Sequence, residues 1–195
     1  MNHFFAITLS SEARQAVTDT AQDWKRLLLP TQHATWYGPD DYHITLKFLS
    51  DIPDASVTPL IEGMTLIASA AAPFALQAAG IGMFPDHNYP RVLWAGVAPC
   101  PPLAHLVAQI EDKTASLGYP RDTRAYRPHI TVARCRFAIE GEEWPVLHER
   151  SFPIWTVDKF ALMQTLPPEQ RRNGLKARYN TVHLFPFGTP PSYTE

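Results

Sequence analysis

The tetrapeptide His-Ile-Thr-aliphatic occurs twice, as HITL at 43–46 and HITV at 129–132, 86 residues apart in a chain of 195. A near-repeat at close to half the chain length predicts two lobes of similar topology. Each copy follows a helical pattern and a loop with proline: Pro39 before the first, Pro120 and Pro128 before the second. Residues 1–195 therefore read as a single domain made of two pseudo-symmetric lobes. Within a strand, side chains alternate between faces. Strict alternation puts His43, Thr45 and Lys47 on one face and Tyr42, Ile44, Leu46 and Phe48 on the other. Likewise, His129 and Thr131 oppose Ile130 and Val132.

The remaining elements follow from periodicity and capping. Strands are predicted at Phe4–Leu9, Tyr42–Leu49, Phe74–Ala78, Val92–Val97, His129–Arg134, Val157–Gln164 and Thr181–Phe185. The helical spacing of Ala13, Val17, Ala21, Trp24 and Leu28 predicts a helix from Ser10 or Ser11 to Pro30. A second helix is expected to begin near Thr58-Pro59, with the proline in its first turn. A third follows Pro101-Pro102, with Gly118 just past its end. The order is α+β with mostly antiparallel pairing.

Composition narrows the function classes. The formal net charge is −2, whereas a general polyanion binder is usually basic, so nucleic-acid contact should be local, at an end or over a few nucleotides. Cys100 and Cys135 form no CxxC and no disulfide framework, so reduced thiols are expected. No stretch approaches the ~18 apolar residues of a membrane span, and the N-terminus lacks the pattern of a secretory signal. A soluble, cytoplasmic protein is expected.

Two His-x-Thr strands facing one cleft would gather two imidazoles and two hydroxyls around one small volume. That set suits a phosphodiester. A protonated imidazole donates to the leaving oxygen, and a neutral one takes a proton from the attacking water, both near neutral pH. Threonine hydroxyls stabilise charge on non-bridging oxygens. Zinc chemistry would want three or four ligands, and neither motif offers His-x-His, so no metal and no cofactor are expected.

These residues resemble the RNA 2′,3′-cyclic phosphodiesterases, also called 2′-5′ RNA ligases, of the two-histidine phosphoesterase superfamily. The paired motifs carry the resemblance. It extends over FFAITL, WYGPDDYHITLKFLSDI, GIGMFPDHNYPRVLWAGV, YRPHITVAR and YNTVHLFPF, nearly the whole chain. It implies a bilobal α+β fold with two antiparallel sheets facing across a central cleft and helices on the outer faces. It implies opening of a 2′,3′-cyclic phosphate to a 2′-phosphomonoester, with His43 as proton donor, His129 as proton acceptor, and Thr45 and Thr131 holding the phosphate. Arg134 matches a family arginine near the phosphate or base, but strict alternation sets it opposite His129, so a bulge or a strand end is required to bring it in.

Trp36, Phe84 and Tyr126 lie near the motif loops as candidates for stacking a nucleobase. Arg91 matches a family position. Arg171 and Arg172, in the loop 167–178, are candidates for the RNA backbone. The expected partners are RNA ends or small nucleotides bearing a 2′,3′-cyclic phosphate, met by a monomer. Water and a 5′-hydroxyl are equivalent nucleophiles at such a site, so 2′-5′ RNA ligation remains open. A non-catalytic nucleotide-binding module is the third possibility, against which the presence of both histidines argues.

Overall fold

The structure is a computed structural model, and it describes residues 2–27, 34–84, 92–135, 152–167 and 177–188. The elements run β1 (Asn2–Thr8), α1 (Ser11–Leu27), β2 (Ala34–Trp36), a 3₁₀ turn (Pro39–Asp41), β3 (His43–Asp51), α2 (Asp54–Ala70), β4 (Phe74–Phe84), β5 (Val92–Val97), α3 (Pro101–Ser116), β6 (His129–Cys135), β7 (Ile154–Val157), β8 (Lys159–Thr165) and β9 (Tyr179–Pro186).

The architecture is α+β and antiparallel, as expected. The strand order is β7-β4-β5-β6-β3-β1-β8-β9, with β2 paired to β6. This order is two-fold about its centre: β6-β5-β4-β7 mirrors β3-β1-β8-β9, and each half opens on one His-x-Thr strand. The two halves join at one bridge, Ile44 opposite Ile130. The rest of that edge of β6 is taken by β2, with Thr35 opposite Arg134 and Trp36 opposite Ala133, and by the Tyr37 N–H donating to the Val132 carbonyl at 2.9 Å.

All three helices among the described residues contribute to one buried cluster. It takes in Val17 and Trp24 of α1, Leu60 and Met64 of α2, Leu103 and Ile110 of α3, and Phe5, Ile44, Leu93, Ile130 and Phe160 of the sheet. The histidines face away from it. The Ser10 hydroxyl accepts the Ala13 N–H at 3.2 Å and caps α1. Gly118, at φ +91°, ends α3 in the left-handed conformation that glycine adopts without a Cβ penalty. None of the described helices is long and apolar enough to cross a membrane.

Four predictions are corrected. The helix expected at Thr58-Pro59 begins a turn earlier, at Asp54, with Pro59 inside it. Proline's φ is helical, and so close to the N-terminus its missing N–H forfeits only the bond to the Ala55 carbonyl. The strand expected at Val157–Gln164 is two strands. β7 pairs with β4 and β8 with β1, so Asp158 carries the chain from one half to the other. β4 runs on to Phe84 through an irregularity between Ala78 and Ile81, where Gly80 takes φ +67°.

The fourth correction concerns Lys47. The pairing of β3 with β1 slips one residue between Thr45 and Lys47, leaving Leu46 as the extra residue of a bulge. Leu46 and Lys47 are therefore both buried, and Phe48 is exposed. Lys47 does not share a face with His43. It turns to the helix side, where Nζ donates to Glu111 Oε2 at 2.8 Å and to the Pro120 carbonyl at 2.6 Å.

Candidate active site

The second His-x-Thr strand has the same bulge at the same place. Thr131 lies opposite Trp94 and Ala133 opposite Leu93, so Val132 is the extra residue. Val132 and Ala133 are both buried and Arg134 is exposed. Residues directly opposite in a ladder face the same way. His129 opposite Gly96, Thr131 opposite Trp94 and Arg134 opposite Val92 therefore share one face. The bulge that Arg134 needed is present. In the first half the corresponding residue, five past the histidine, is Phe48.

The bridge at Ile44 and Ile130 sets the two motifs in register. Extended by one residue each way, it puts His43 across from Thr131 and Thr45 across from His129. The two histidines are then diagonal neighbours on one face, and the charge of His129 acts on His43. The same hydrogen bond orients each ring. His43 Nδ1 meets the Asp41 carbonyl at 2.7 Å, and His129 Nδ1 meets the Arg127 carbonyl at 2.7 Å. A carbonyl only accepts, so Nδ1 carries the proton in both neutral rings, and Nε2 is left as the reacting nitrogen.

The surroundings of the two rings differ. His43 lies against Phe4 at 4.9 Å and meets Tyr179 edge-on at 4.9 Å. Phe4, Ala6, Ala161 and Met163 form a small second core on the histidine face, with Tyr179 packed on it. His129 meets the edge of Phe84 at 4.8 Å and lies 6.5 Å from Trp94. The Trp94 ring lies over Gly82, where a Cβ would collide with it. Burial pushes the His43 imidazole down to about 4, partly offset by its bond to Asp41 and reinforced by the charge of His129. Burial also lowers His129, offset by the Arg127 carbonyl and reinforced by the Arg134 charge. Both imidazoles are neutral in the free protein near pH 7.

A charged support stands behind His43. The Asp41 carboxylate is buried, and its Oδ1 accepts the Arg178 backbone N–H at 2.6 Å, with the Arg178 guanidinium 3.7 Å from Oδ2. That guanidinium stacks over Tyr37, 4.4 Å from the ring centroid. Burial raises the Asp41 carboxyl, while the Arg178 bond and charge pull the other way.

Of the candidates named from sequence, His43, Thr45, His129, Thr131, Arg134 and Phe84 lie on one face. Trp36, opposite Ala133, turns to the core side and packs there. The Tyr126 hydroxyl donates to the Thr45 carbonyl at 3.0 Å, tying the loop before β6 to β3, and the residue as a whole is 38% exposed. Arg91, Arg171 and Arg172 lie outside the described residues. Sequence reasoning missed Phe4, Asp41, Phe48, Trp94 and Tyr179. None carried a local signal: the group that orients each histidine is the backbone carbonyl two residues before it, that of Asp41 in one motif and of Arg127 in the other.

A family model described as LigT like Phosphoesterase matches residues 7–94. An RNA 2′,3′-cyclic phosphodiesterase of Geobacillus stearothermophilus is 35% identical over 99% of this chain, which spans 60% of that protein's length. One of Bacillus subtilis (strain 168) is 30% identical over 66% of this chain and 70% of its own. Among solved structures, a Thermus thermophilus protein superposes with TM-score 0.78 and 25% identity, over 96% of this chain and 98% of that one. Escherichia coli LigT in complex with 3′-AMP does so with TM-score 0.70 and 22% identity, over 95% and 97%. With two His-x-Thr strands meeting on one face, and relatives of this name aligned over most of its length, the chain belongs to the RNA 2′,3′-cyclic phosphodiesterase family of LigT-like phosphoesterases.

Proposed function

We propose that this protein hydrolyses 2′,3′-cyclic phosphodiesters at RNA ends or on small nucleotides, yielding 2′-phosphomonoesters without a metal. One observation carries this conclusion: two imidazoles on one face of adjoining strands, each tied through Nδ1 to a carbonyl and left with a reactive Nε2. His129 takes a proton from water as the water oxygen bonds to phosphorus. The P–O3′ bond breaks, and O3′ takes its proton from His43. Thr45, Thr131 and Arg134 hold the non-bridging oxygens, where fixed donors act on developing charge. His43 is neutral in the free protein, so it takes up its proton as the anionic substrate arrives and raises its proton affinity. Phe84, and the Phe48 ring that lies nearly parallel to Phe4 at 6.2 Å, offer aromatic surface to the nucleoside. The two halves act as one domain, in a cytoplasmic monomer.

The test is product analysis with 2′,3′-cyclic AMP in excess chelator. The expected product is 2′-AMP, formed at the rate seen without chelator. No turnover, or activity lost on chelation and restored by zinc or manganese, would end this assignment. Ligation is assayed in parallel with RNA carrying a cyclic phosphate and a 5′-hydroxyl, where a 2′-5′ linkage shows that a hydroxyl replaces water.

A further inference from the structure

Asp41 carries a buried carboxylate that the steps above do not use. The residue is 3% exposed, and it reaches the surroundings of His43 from both of its ends. Its main-chain carbonyl accepts from His43 Nδ1 at 2.7 Å. Its side-chain Oδ1 accepts the backbone N–H of Arg178, 137 residues along the chain, at 2.6 Å. The next residue, Tyr179, sets its ring edge-on to that of His43 at 4.9 Å. These contacts close a circuit. It runs from the Asp41 carbonyl to the His43 ring, from that ring to Tyr179, along the chain to Arg178, and back to the Asp41 carboxylate. One end of Asp41 holds the imidazole at Nδ1, and the other end pins the strand whose tyrosine lies against the ring.

Both sides of the circuit are anchored. The Asp41 N–H donates to the Gly38 carbonyl at 2.9 Å, and the Arg178 carbonyl accepts the Leu166 N–H at 2.8 Å. The Arg178 guanidinium lies 3.7 Å from Oδ2 and 4.4 Å over the Tyr37 ring. A buried ion pair is a poor device for stability alone, since apolar residues of similar volume serve there as well or better. The second half is built differently. The Arg127 carbonyl holds His129 in the same way, but Arg127 itself is exposed. The added restraint falls on the histidine that protonates the leaving oxygen.

We propose that the Asp41 carboxylate is a positioning residue for His43. By gripping the Arg178 N–H it fixes the carbonyl and the Tyr179 ring between which the imidazole is held. The proton is thereby kept on Nδ1, and Nε2 is kept on its aim. What Nε2 is aimed at, the leaving oxygen, rests on the reaction assigned above.

Asp41→Ala removes the grip, whereas Asp41→Asn keeps an oxygen to accept the Arg178 N–H. A misplacement of about 1 Å in a reacting group costs about 10²-fold. We expect kcat on 2′,3′-cyclic AMP to fall by about that factor in the alanine variant. KM should change little, because Thr45, Thr131 and Arg134 are untouched. Asparagine should restore most of the loss. Nitrogen NMR of the imidazoles near pH 7, with His43 assigned by difference against His43→Ala, reads the tautomer without substrate. His43 should carry its proton on Nδ1 in the natural and asparagine proteins and become a mixture of tautomers in the alanine variant. Natural kcat with an unchanged tautomer in Asp41→Ala would overturn the proposal. So would equal losses in the two variants, or a lowered Tm with natural kcat at low temperature, which marks a role in stability alone. If the alanine variant does not fold, Asp41→Ser takes its place, since its side chain stops a bond short of the Arg178 N–H; an unchanged tautomer there overturns the proposal equally. If the natural protein turns over no cyclic nucleotide, the assigned reaction fails, and the tautomer still decides whether Asp41 positions His43.

Discussion

Lys47→Met tests the bulge in β3, because the two possible placements of this lysine predict opposite outcomes. On an unbroken strand the ammonium stands beside His43 in the site. With the bulge it is on the helix side, its side chain 4% exposed against a Glu111 side chain 16% exposed. Methionine keeps the packing of the stem but deletes two charged hydrogen bonds, to Glu111 at 2.8 Å and to Pro120 at 2.6 Å. Breaking a buried pair from one side costs about 3–5 kcal/mol, most of it from the charge left behind. Glu111 retains some access to water, which puts the expectation at the lower end, about 3 kcal/mol. For a chain of this size that is a fall of roughly 6–12 °C in Tm. Urea unfolding at pH 7 measures it. Adding Glu111→Leu should recover part of the loss by removing the stranded carboxylate. Turnover of the folded protein at low temperature should stay within a few-fold of the natural value, because the ammonium is on the opposite face from the histidines. A stability change below about 0.5 kcal/mol together with a large loss of turnover would put Lys47 in the site and refute the bulge.

His43→Ala and His129→Ala should each lower kcat by roughly 10²–10⁴-fold, and the double variant should lose less than the product of the two; natural turnover in either single variant would remove that histidine from the chemistry. Arg134→Ala should weaken phosphate binding and kcat/KM together, whereas Trp36→Phe, on the core side, should leave both near natural values; the reverse pattern would show that the bulge in β6 does not bring the arginine to the site. Both imidazoles titrate below 6.5 in the free protein, His43 at about 4. The singly protonated form that turnover requires is therefore populated on the acid side of 6.5. The kcat/KM profile should peak there and fall close to tenfold per pH unit above it, and a plateau from pH 7 to 8.5 would contradict the burial of both rings. The same depression has a stability consequence. The unfolded chain binds these protons more readily, so the stability the neutral rings contribute is fully present above 6.5 and is lost as pH falls toward and through about 4, an effect that acid titration of Tm reads.

Much of the site was legible in the sequence because the information is local. HITL and HITV alternate over only four residues, too short a run for pairing to disturb. The side on which His43, Thr45, His129 and Thr131 fall follows from the period of a strand alone. Their repetition at half the chain length predicted the two-fold strand order. The apolar faces of α1 and α3, and Gly118 after α3, were likewise set by spacing and by glycine's conformational freedom. Tertiary pairing decided what comes next along each strand. A bulge arises where a partner strand offers one residue against two, and nothing in KFL or ARC announces it. Those two slips buried Lys47, exposed Phe48 and turned Arg134 to the histidine face. The break at Asp158 is of the same kind, since β7 and β8 read as one strand until each finds a different neighbour. Asp41 with Arg178, and His43 with Tyr179, are separated by more than 130 residues. Local pattern cannot specify contacts at that separation; they exist because the last strand returns to the half of the sheet that the first one began.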